Sequence, residues 1–301
     1  MNCAIIGSTK IAEVHAEKLV QHGIKEITFI SRSLQKRNKI IFNLKKKISK
    51  RILLHHSDIK ILKKNFFDII CICSKTEVHD KHLRLVAGLK SVVIIEKPII
   101  SILKLKKKYK NFLVDIYKKN KKIVVCYPYL FLAKNFKKYF KKVSKIKEIT
   151  FEFQTGGTSK FKKICINLMP HALSFFHIFL KKNFLKKPIK KNALFSSKHL
   201  WQTNFSLGKM KINLVFRENY QKKTSLKFKV DDLKLARKTR INKGKFINYI
   251  KNYNSNKIKI ISNPMEDFYK DFFKNINNKK YYQINKNITF DIMKKNYTFL
   301  N

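Results

Sequence analysis

The sequence predicts an α/β protein in two parts: a doubly wound parallel sheet, then an α+β domain whose sheet is mainly antiparallel. Three observations predict it. Short, continuous apolar runs alternate with amphipathic helical segments as far as residue 126, the pattern of a sheet covered by helices on both faces. Beyond Tyr127-Pro128 the runs give way to apolar–polar alternation, the mark of a half-buried strand. A length of 301 residues suits roughly two domains of about 150 residues each.

The elements follow in order. Residues 3–6 form a first strand, and 11–22 a helix that turns Ile11, Val14, Ala16, Leu19 and Val20 inward and stops at Gly23. Strands over 27–30 and 52–54 flank a helix over about 34–44. Residues 67–73 make a buried fourth strand, 78–87 a helix ending at Gly88, and 92–95 a fifth strand. A Lys-rich helix and a strand over 123–126 close the series. The domain boundary is placed there, giving 1–126 and 127–301. In the second part 149–153 alternates, an apolar helix spans about 167–180, and 201–205 pairs with 212–216 across Leu207-Gly208-Lys209 as a hairpin. Residues 226–230 and 258–261 extend that sheet, and helices over 265–275 and the last residues end the chain. An open face on the second sheet points to a homo-oligomer formed through it.

Charge is the feature that misleads. Lys and Arg number 69 against 18 acids, a net charge of +51. Only seven of the 69 are Arg, and lysine is spread along the chain with local runs at 45–47, 106–108, 118–122 and 137–142. A nucleic-acid binder clusters its charge and uses Arg for bidentate contacts, so the pattern argues against that function. Abundant Lys, Ile, Asn and Phe with scarce Gly and Ala is the composition expected of an A+T-rich genome, and compositional drift is the reading favoured over a nucleic-acid function. The surplus still draws anionic ligands. Apolar runs fall far short of the ~20 residues of a membrane helix, so a soluble protein is expected. Residues 1–7 carry no basic leader, and a cytoplasmic protein is expected. Five cysteines (3, 71, 73, 126 and 165) without CxxC spacing suit buried thiols there better than a disulfide frame or a zinc site, and no metal site is expected.

The chemistry begins at Ile5-Ile6-Gly7-Ser8-Thr9-Lys10-Ile11-Ala12. A dinucleotide turn needs a Gly for the tight bend, a second small residue where backbone meets pyrophosphate, and a third for helix packing. Gly7 and Ala12 fill the first and third places, and Thr9 stands where the second Gly belongs; an ordinary strand–helix turn reads the same way. The second strand ends in Ser31-Arg32, which suits the 2′-phosphate of NADP better than the ribose hydroxyl of NAD. A helix-capping Ser beside a surface Arg is the plainer alternative.

Next come Ser74-Lys75-Thr76-Glu77-Val78-His79 after the fourth strand, Glu96-Lys97-Pro98 after the fifth, and Asn167-Leu168-Met169-Pro170-His171 in the second part. In this order they resemble the Gfo/Idh/MocA oxidoreductases, whose fold is a Rossmann domain followed by an α+β substrate domain. The resemblance implies an NADP- or NAD-dependent enzyme that moves a hydride to or from a sugar or nucleotide-linked sugar, with a role in polysaccharide synthesis. It implies cofactor contacts from Gly7, Ser8, Thr9, Lys10, Ile11, Ser31, Arg32, Ser74, Thr76, His79, Glu96 and Lys97. Lys97 and His171 are then the catalytic acid/base groups, and Pro98 turns Lys97 into the cleft, through a kink or a cis bond. Asn167 falls where the family has Asp, one turn before His171; it orients a hydroxyl but takes no proton. Thr9 and Asn167 equally suit a non-catalytic relative that binds dinucleotide or a partner. Tyr127-Pro128-Tyr129 replaces the family's Asn-Arg-Arg segment, so no substrate contact carries over there. His55, His56 and Asp68 are expected to be structural.

Overall fold

The computed structural model describes residues 1–47, 52–139, 146–180, 190–219, 221, 223–242 and 245–300. Arg51 and part of the 137–142 lysine run lie outside them. Packing divides the chain into two units, Met1–Tyr127 with Phe268–Phe290 and Pro128–Asp267 with Asp291–Asn301. A linear division at residue 126 keeps the C-terminal helices in the second part, whereas here residues 268–290 return to the first. Among the described residues no helix is long and apolar enough to cross a membrane.

The first unit holds six strands: β1 (Asn2–Ile6), β2 (Glu26–Ile30), β3 (Leu53–Ser57), β4 (Ile69–Ile72), β5 (Val92–Glu96) and β6 (Ile123–Cys126). They pair in parallel in the order β3-β2-β1-β4-β5-β6. Between them run α1 (Lys10–Gln21), α2 (Leu34–Lys47), α3 (Ile61–Lys64), α4 (His79–Val86), α5 (Ile102–Leu105) and α6 (Tyr109–Lys119). Helices on both faces explain the unbroken apolar strands, and residues 69–73 and 93–95 are fully buried. Asn2 and Asp68 tie the strand starts: the Asn2 N–H donates to Asp68 Oδ2 at 2.8 Å and the Asp68 N–H to Asn2 Oδ1 at 2.9 Å. Asp68 is thus the strand-entry residue expected.

Two sequence readings shift. The buried face of α1 is Ala12, His15, Ala16 and Leu19, so Ile11, Val14 and Val20 lie on its flanks. Edge strand β3 begins one residue late and runs on through exposed His55 and His56, where His55 Nε2 lies 3.5 Å from Glu26. The opposite edge, β6, is covered rather than left bare. The Val125 N–H donates to Asn285 Oδ1 at 2.9 Å and Asn285 Nδ2 to the Val125 carbonyl at 3.1 Å, so one amide side chain stands in for a neighbouring strand. That bond pair is one reason residues 268–290 pack with the first unit.

In the second unit α7 (Pro128–Lys137) and α8 (Lys162–Phe179) pack together, and eight strands form a second sheet. Its order is β14-β13-β12-β11-β7-β10-β9-β8, from β7 (Glu148–Thr155), β8 (Lys190–Ser196), β9 (Leu200–Leu207), β10 (Met210–Glu218), β11 (Ser225–Val230), β12 (Leu233–Asn242), β13 (Lys245–Asn252) and β14 (Ile258–Ile261). β9 and β10 form the expected hairpin, and among the described residues of this sheet only β7 and β10 pair in parallel. Phe151, Phe175, Phe176 and Phe228 pack edge-to-face beneath the sheet, the geometry that ring quadrupoles favour. The last helices are α9 (Pro264–Lys274) and α10 (Lys279–Leu300).

Candidate active site

In a parallel sheet every strand delivers its following loop to the same edge. The order above reverses direction between β1 and β4, and ligands of open α/β sheets bind at such a switch point. Gly7, Ser31, Ser74 and Lys97 stand within two residues of the ends of β1, β2, β4 and β5, so the chain's own topology gathers these expected residues.

Gly7 is there because nothing else fits. Its φ is +126°, and a Cβ would meet Cys73 and Ser74 backbone atoms at 2.8 Å. Thr9 leads into α1 with extended backbone. Its hydroxyl donates to the Cys73 carbonyl at 3.1 Å instead of capping the helix. No side chain caps α1, so its first turn, from Lys10 and Ile11, keeps the N–H donors with which helix N-termini hold phosphate. Ser31 donates to Ser8 at 3.0 Å, beside the exposed Arg32. An uncapped helix start, two hydroxyls and a guanidinium are a donor set that fits a dinucleotide.

The loop after β4 is tied to the one after β5. His79 is buried, with Nε2 2.9 Å from the Ser74 carbonyl and Nδ1 2.9 Å from the Pro98 carbonyl. Burial holds its pKa below the ordinary imidazole value against the pull of both carbonyls, so a neutral ring donates to one of them at a time. Ser74 also meets His82 Nδ1 at 2.8 Å, a partner that no local motif singles out. Thr76 sits half-buried in the turn between these residues. The Lys97–Pro98 bond is cis. Lys97 is half-buried, and its N–H donates to Glu96 Oε2 at 3.2 Å.

The Glu96 carboxylate turns inward. Its Oε1 lies 2.7 Å from Nε2 of the fully buried His15, whose Nδ1 is 2.5 Å from the Tyr269 hydroxyl and 3.4 Å from the Cys71 sulfur. Burial alone would lower the His15 pKa, but the Cys71 sulfur and the Glu96 carboxylate overcome it and lift it to about 10. Burial would raise Glu96, and its bond to His15 reverses that. Sequence reasoning left His15 without a role. The signal was its place three residues after Ala12, on the helix face that packs against the sheet.

In the second unit α8 carries Asn167 and His171 one turn apart, both half-buried. The His171 ring lies against Tyr129 and Phe153, with centroids 4.4 and 5.1 Å away. Asn167 donates its amide to Ser159 Oγ at 2.5 Å, and the Ser159 N–H donates to Glu218 Oε2 at 2.7 Å. This relay straps the 156–161 loop to β10 and to α8, and Glu218 carried no signal in the sequence. Lys97 and His171 belong to different units.

Comparison with known proteins agrees with this geometry. Residues 1–127 match the model of an oxidoreductase family with an NAD-binding Rossmann fold, GFO_IDH_MocA. No curated protein matches by sequence. Among solved structures, the 3-ketoreductase KijD10 from Actinomadura kijaniata, in complex with NADP, superposes with TM-score 0.70 at 9% identity, over 97% of this chain and 94% of that one. UDP-N-acetylglucosamine 3-dehydrogenase GnnA from Acidithiobacillus ferrooxidans gives 0.63 at 12% identity over 100% and 99%. A Gfo/Idh/MocA family oxidoreductase from Vibrio cholerae gives 0.63 at 12% identity over 97% and 95%. Such identities establish the shared fold. Residues 1–127 thus carry the NAD-binding Rossmann domain of the Gfo/Idh/MocA oxidoreductase family, and the chain as a whole shares the fold of its members.

Proposed function

We propose that the chain is an NADP-linked oxidoreductase that interconverts a hydroxyl and a keto group on a sugar, a nucleotide-linked sugar used in polysaccharide synthesis. The observation that carries this is the meeting, at one sheet edge, of the Gly7 turn, the uncapped start of α1 and the Glu96-Lys97-cis-Pro98 turn. Ser8, Thr9, Lys10 and Ile11 hold the pyrophosphate through backbone N–H groups, and Ser31 with Arg32 takes the 2′-phosphate. Ser74, Thr76, His79 and Glu96 shape the rest of the cofactor seat. When bound, the nicotinamide accepts or supplies the hydride. Lys97 receives the hydroxyl proton in oxidation and returns it in reduction, and His171 shares that transfer. Among the structural neighbours, a 3-ketoreductase in complex with TDP-benzene and NADP and a UDP-N-acetylglucosamine 3-dehydrogenase support the substrate class. Five buried thiols suit a reducing cytoplasm. Exposed Leu194 and Phe195 on β8 support association of copies through the second sheet.

Thr9 and the Asn167–Ser159 bond favour a second reading, a relative that binds dinucleotide without turning it over. Fluorescence titration with NADPH and NADH, then a scan at the reduced-nicotinamide band with a panel of nucleotide sugars, separates the two. The enzyme reading expects tighter NADPH binding and turnover that Lys97→Ala abolishes while binding persists. Binding without turnover across the panel favours the second reading, and turnover that survives in Lys97→Ala removes the mechanism.

A further inference from the structure

Beneath the carboxyl edge of the first sheet lies a cluster that neither cofactor nor substrate chemistry needs. Cys71 in β4 and Cys73 just past its end bring their sulfurs to 3.4 Å, and His15 Nδ1 stands 3.4 Å from the Cys71 sulfur. All three are fully buried, and their ligand atoms lie within 4.8 Å of one another. We propose that His15, Cys71 and Cys73 form a structural site for a thiophilic divalent cation, Zn2+, inside the first unit.

The distances decide in its favour. Zn–S of about 2.3 Å and Zn–N of about 2.1 Å place tetrahedral ligand edges at roughly 3.8 Å for S···S and roughly 3.6 Å for S···N. Two of the three edges, at 3.4 Å, need shifts of only a few tenths of an ångström, and the third lies within 4.8 Å. The surroundings match as well. A ligating histidine gives its second ring N–H to a carboxylate, which fixes the tautomer and strengthens the ligand. Here Nε2 meets Glu96 at 2.7 Å, leaving Nδ1 to face the sulfurs. The Tyr269 hydroxyl lies 2.5 Å from that same nitrogen, so an oxygen donor stands beside the trio. Two thiolates neutralise the cation, and Glu96 has Lys97 as its neighbour in sequence, so the buried charges balance. A closed, solvent-free site with nitrogen and sulfur donors is the structural rather than the catalytic type. It would clamp α1 and β4 together and hold Glu96 in place directly before Lys97. A competing trio, His15, Glu96 and Cys126, would spend that carboxylate as a ligand and offers one sulfur instead of two.

The test uses the full-length chain, produced without a histidine tag or chelator and supplied with zinc or, in a parallel culture, cobalt. The proposal expects stoichiometric metal by elemental analysis. Cobalt-loaded protein should show thiolate-to-metal charge transfer in the near ultraviolet and tetrahedral d–d bands in the red. Cys71→Ala and Cys73→Ala should each lose those bands and at least tenfold in metal affinity, while Cys126→Ala and Cys165→Ala keep both. X-ray absorption on the zinc form of the wild-type protein decides the case even where a variant fails to fold. Two sulfurs at about 2.3 Å with nitrogen or oxygen at about 2.1 Å support the site. A metal-free wild-type chain, a shell with fewer than two sulfurs, or cobalt bands unchanged in Cys71→Ala would each overturn it.

Discussion

Thr9 donates its hydroxyl to the carbonyl of Cys73, 3.1 Å away, and so turns from the helix it precedes to the strand beside it. Cys73 is the first residue past β4, and Thr9 the last before α1. The bond therefore joins the two elements on either side of the switch point. It also explains how a Thr is accommodated where a second Gly is usual: the side chain is drawn onto the strand, away from the helix axis. Thr9→Val keeps the shape and removes the donor. It should lower stability by about 1 kcal/mol, read as a shift in urea midpoint at constant slope, and change NADPH affinity by less than about threefold. A tenfold loss of binding would mean that the hydroxyl itself serves the cofactor.

Gly7 admits no such accommodation. The atoms that a Cβ would strike at 2.8 Å are backbone atoms of Cys73 and Ser74, held by the β1–β4 pairing, and φ of +126° is strained for any L side chain. Gly7→Ala should cost at least ~2 kcal/mol and weaken dinucleotide binding together with stability. Near-wild-type unfolding would show that the β4 loop gives way more easily than its hydrogen bonds suggest.

The same contrast between local and distant causes governs how much was legible beforehand. Strands β1, β2, β4, β5 and β6 announced themselves because burial on both faces demands unbroken apolar runs, whereas edge strand β3 (LLHHS) did so only in part, and Glu96-Lys97-Pro98 stood out by following one of the buried strands. The face of α1 was misjudged by one residue because His15 reads as polar, and only its partners Glu96 and Tyr269, 81 and 254 positions away, make it an interior residue. Strand β12 (LKLARKTRIN) was missed because its Lys and Arg positions mask the alternation. The return of residues 268–290 to the first unit rests on pairs such as Asn285 with Val125, which no local pattern announces. The Glu218–Ser159–Asn167 relay was invisible for the same reason.

His79 makes stability depend on pH. Its folded pKa lies below the unfolded value of about 6.5 because burial disfavours the charged ring. The unfolded chain therefore takes up the proton first. The His79 contribution is complete above the unfolded value and is lost as pH falls from there toward the folded value. Urea midpoints should drop more steeply between pH 7.5 and pH 5 for the wild-type protein than for His79→Gln. At pH 7.5 the substitution itself should cost about 1–3 kcal/mol, because a buried carbonyl loses its donor. His82, whose pKa is also lowered by burial, leaves part of the acid sensitivity in the variant. Parallel pH profiles would dismiss His79 as its source.

Gly157 and Glu218 offer a test by coupling. A Cβ on Gly157 would lie 2.3 Å from Glu218 Oε2, the oxygen that accepts the Ser159 N–H. Unlike the backbone atoms around Gly7, a carboxylate can move, but moving breaks the bond that straps the loop before α8. Glu218→Ala should therefore cost about 1.5–3 kcal/mol, the range for a hydrogen bond to a charged group. Glu218→Gln, which keeps an acceptor oxygen, should cost less than half as much. Gly157→Ala should destabilise the wild-type protein by a similar amount, since it removes the same bond by displacement. In the Glu218→Ala background it should cost almost nothing, because the clash and the bond are already gone. The double-mutant cycle would then show a coupling of at least ~1 kcal/mol. Additive effects would mean that the loop is held by something other than this carboxylate.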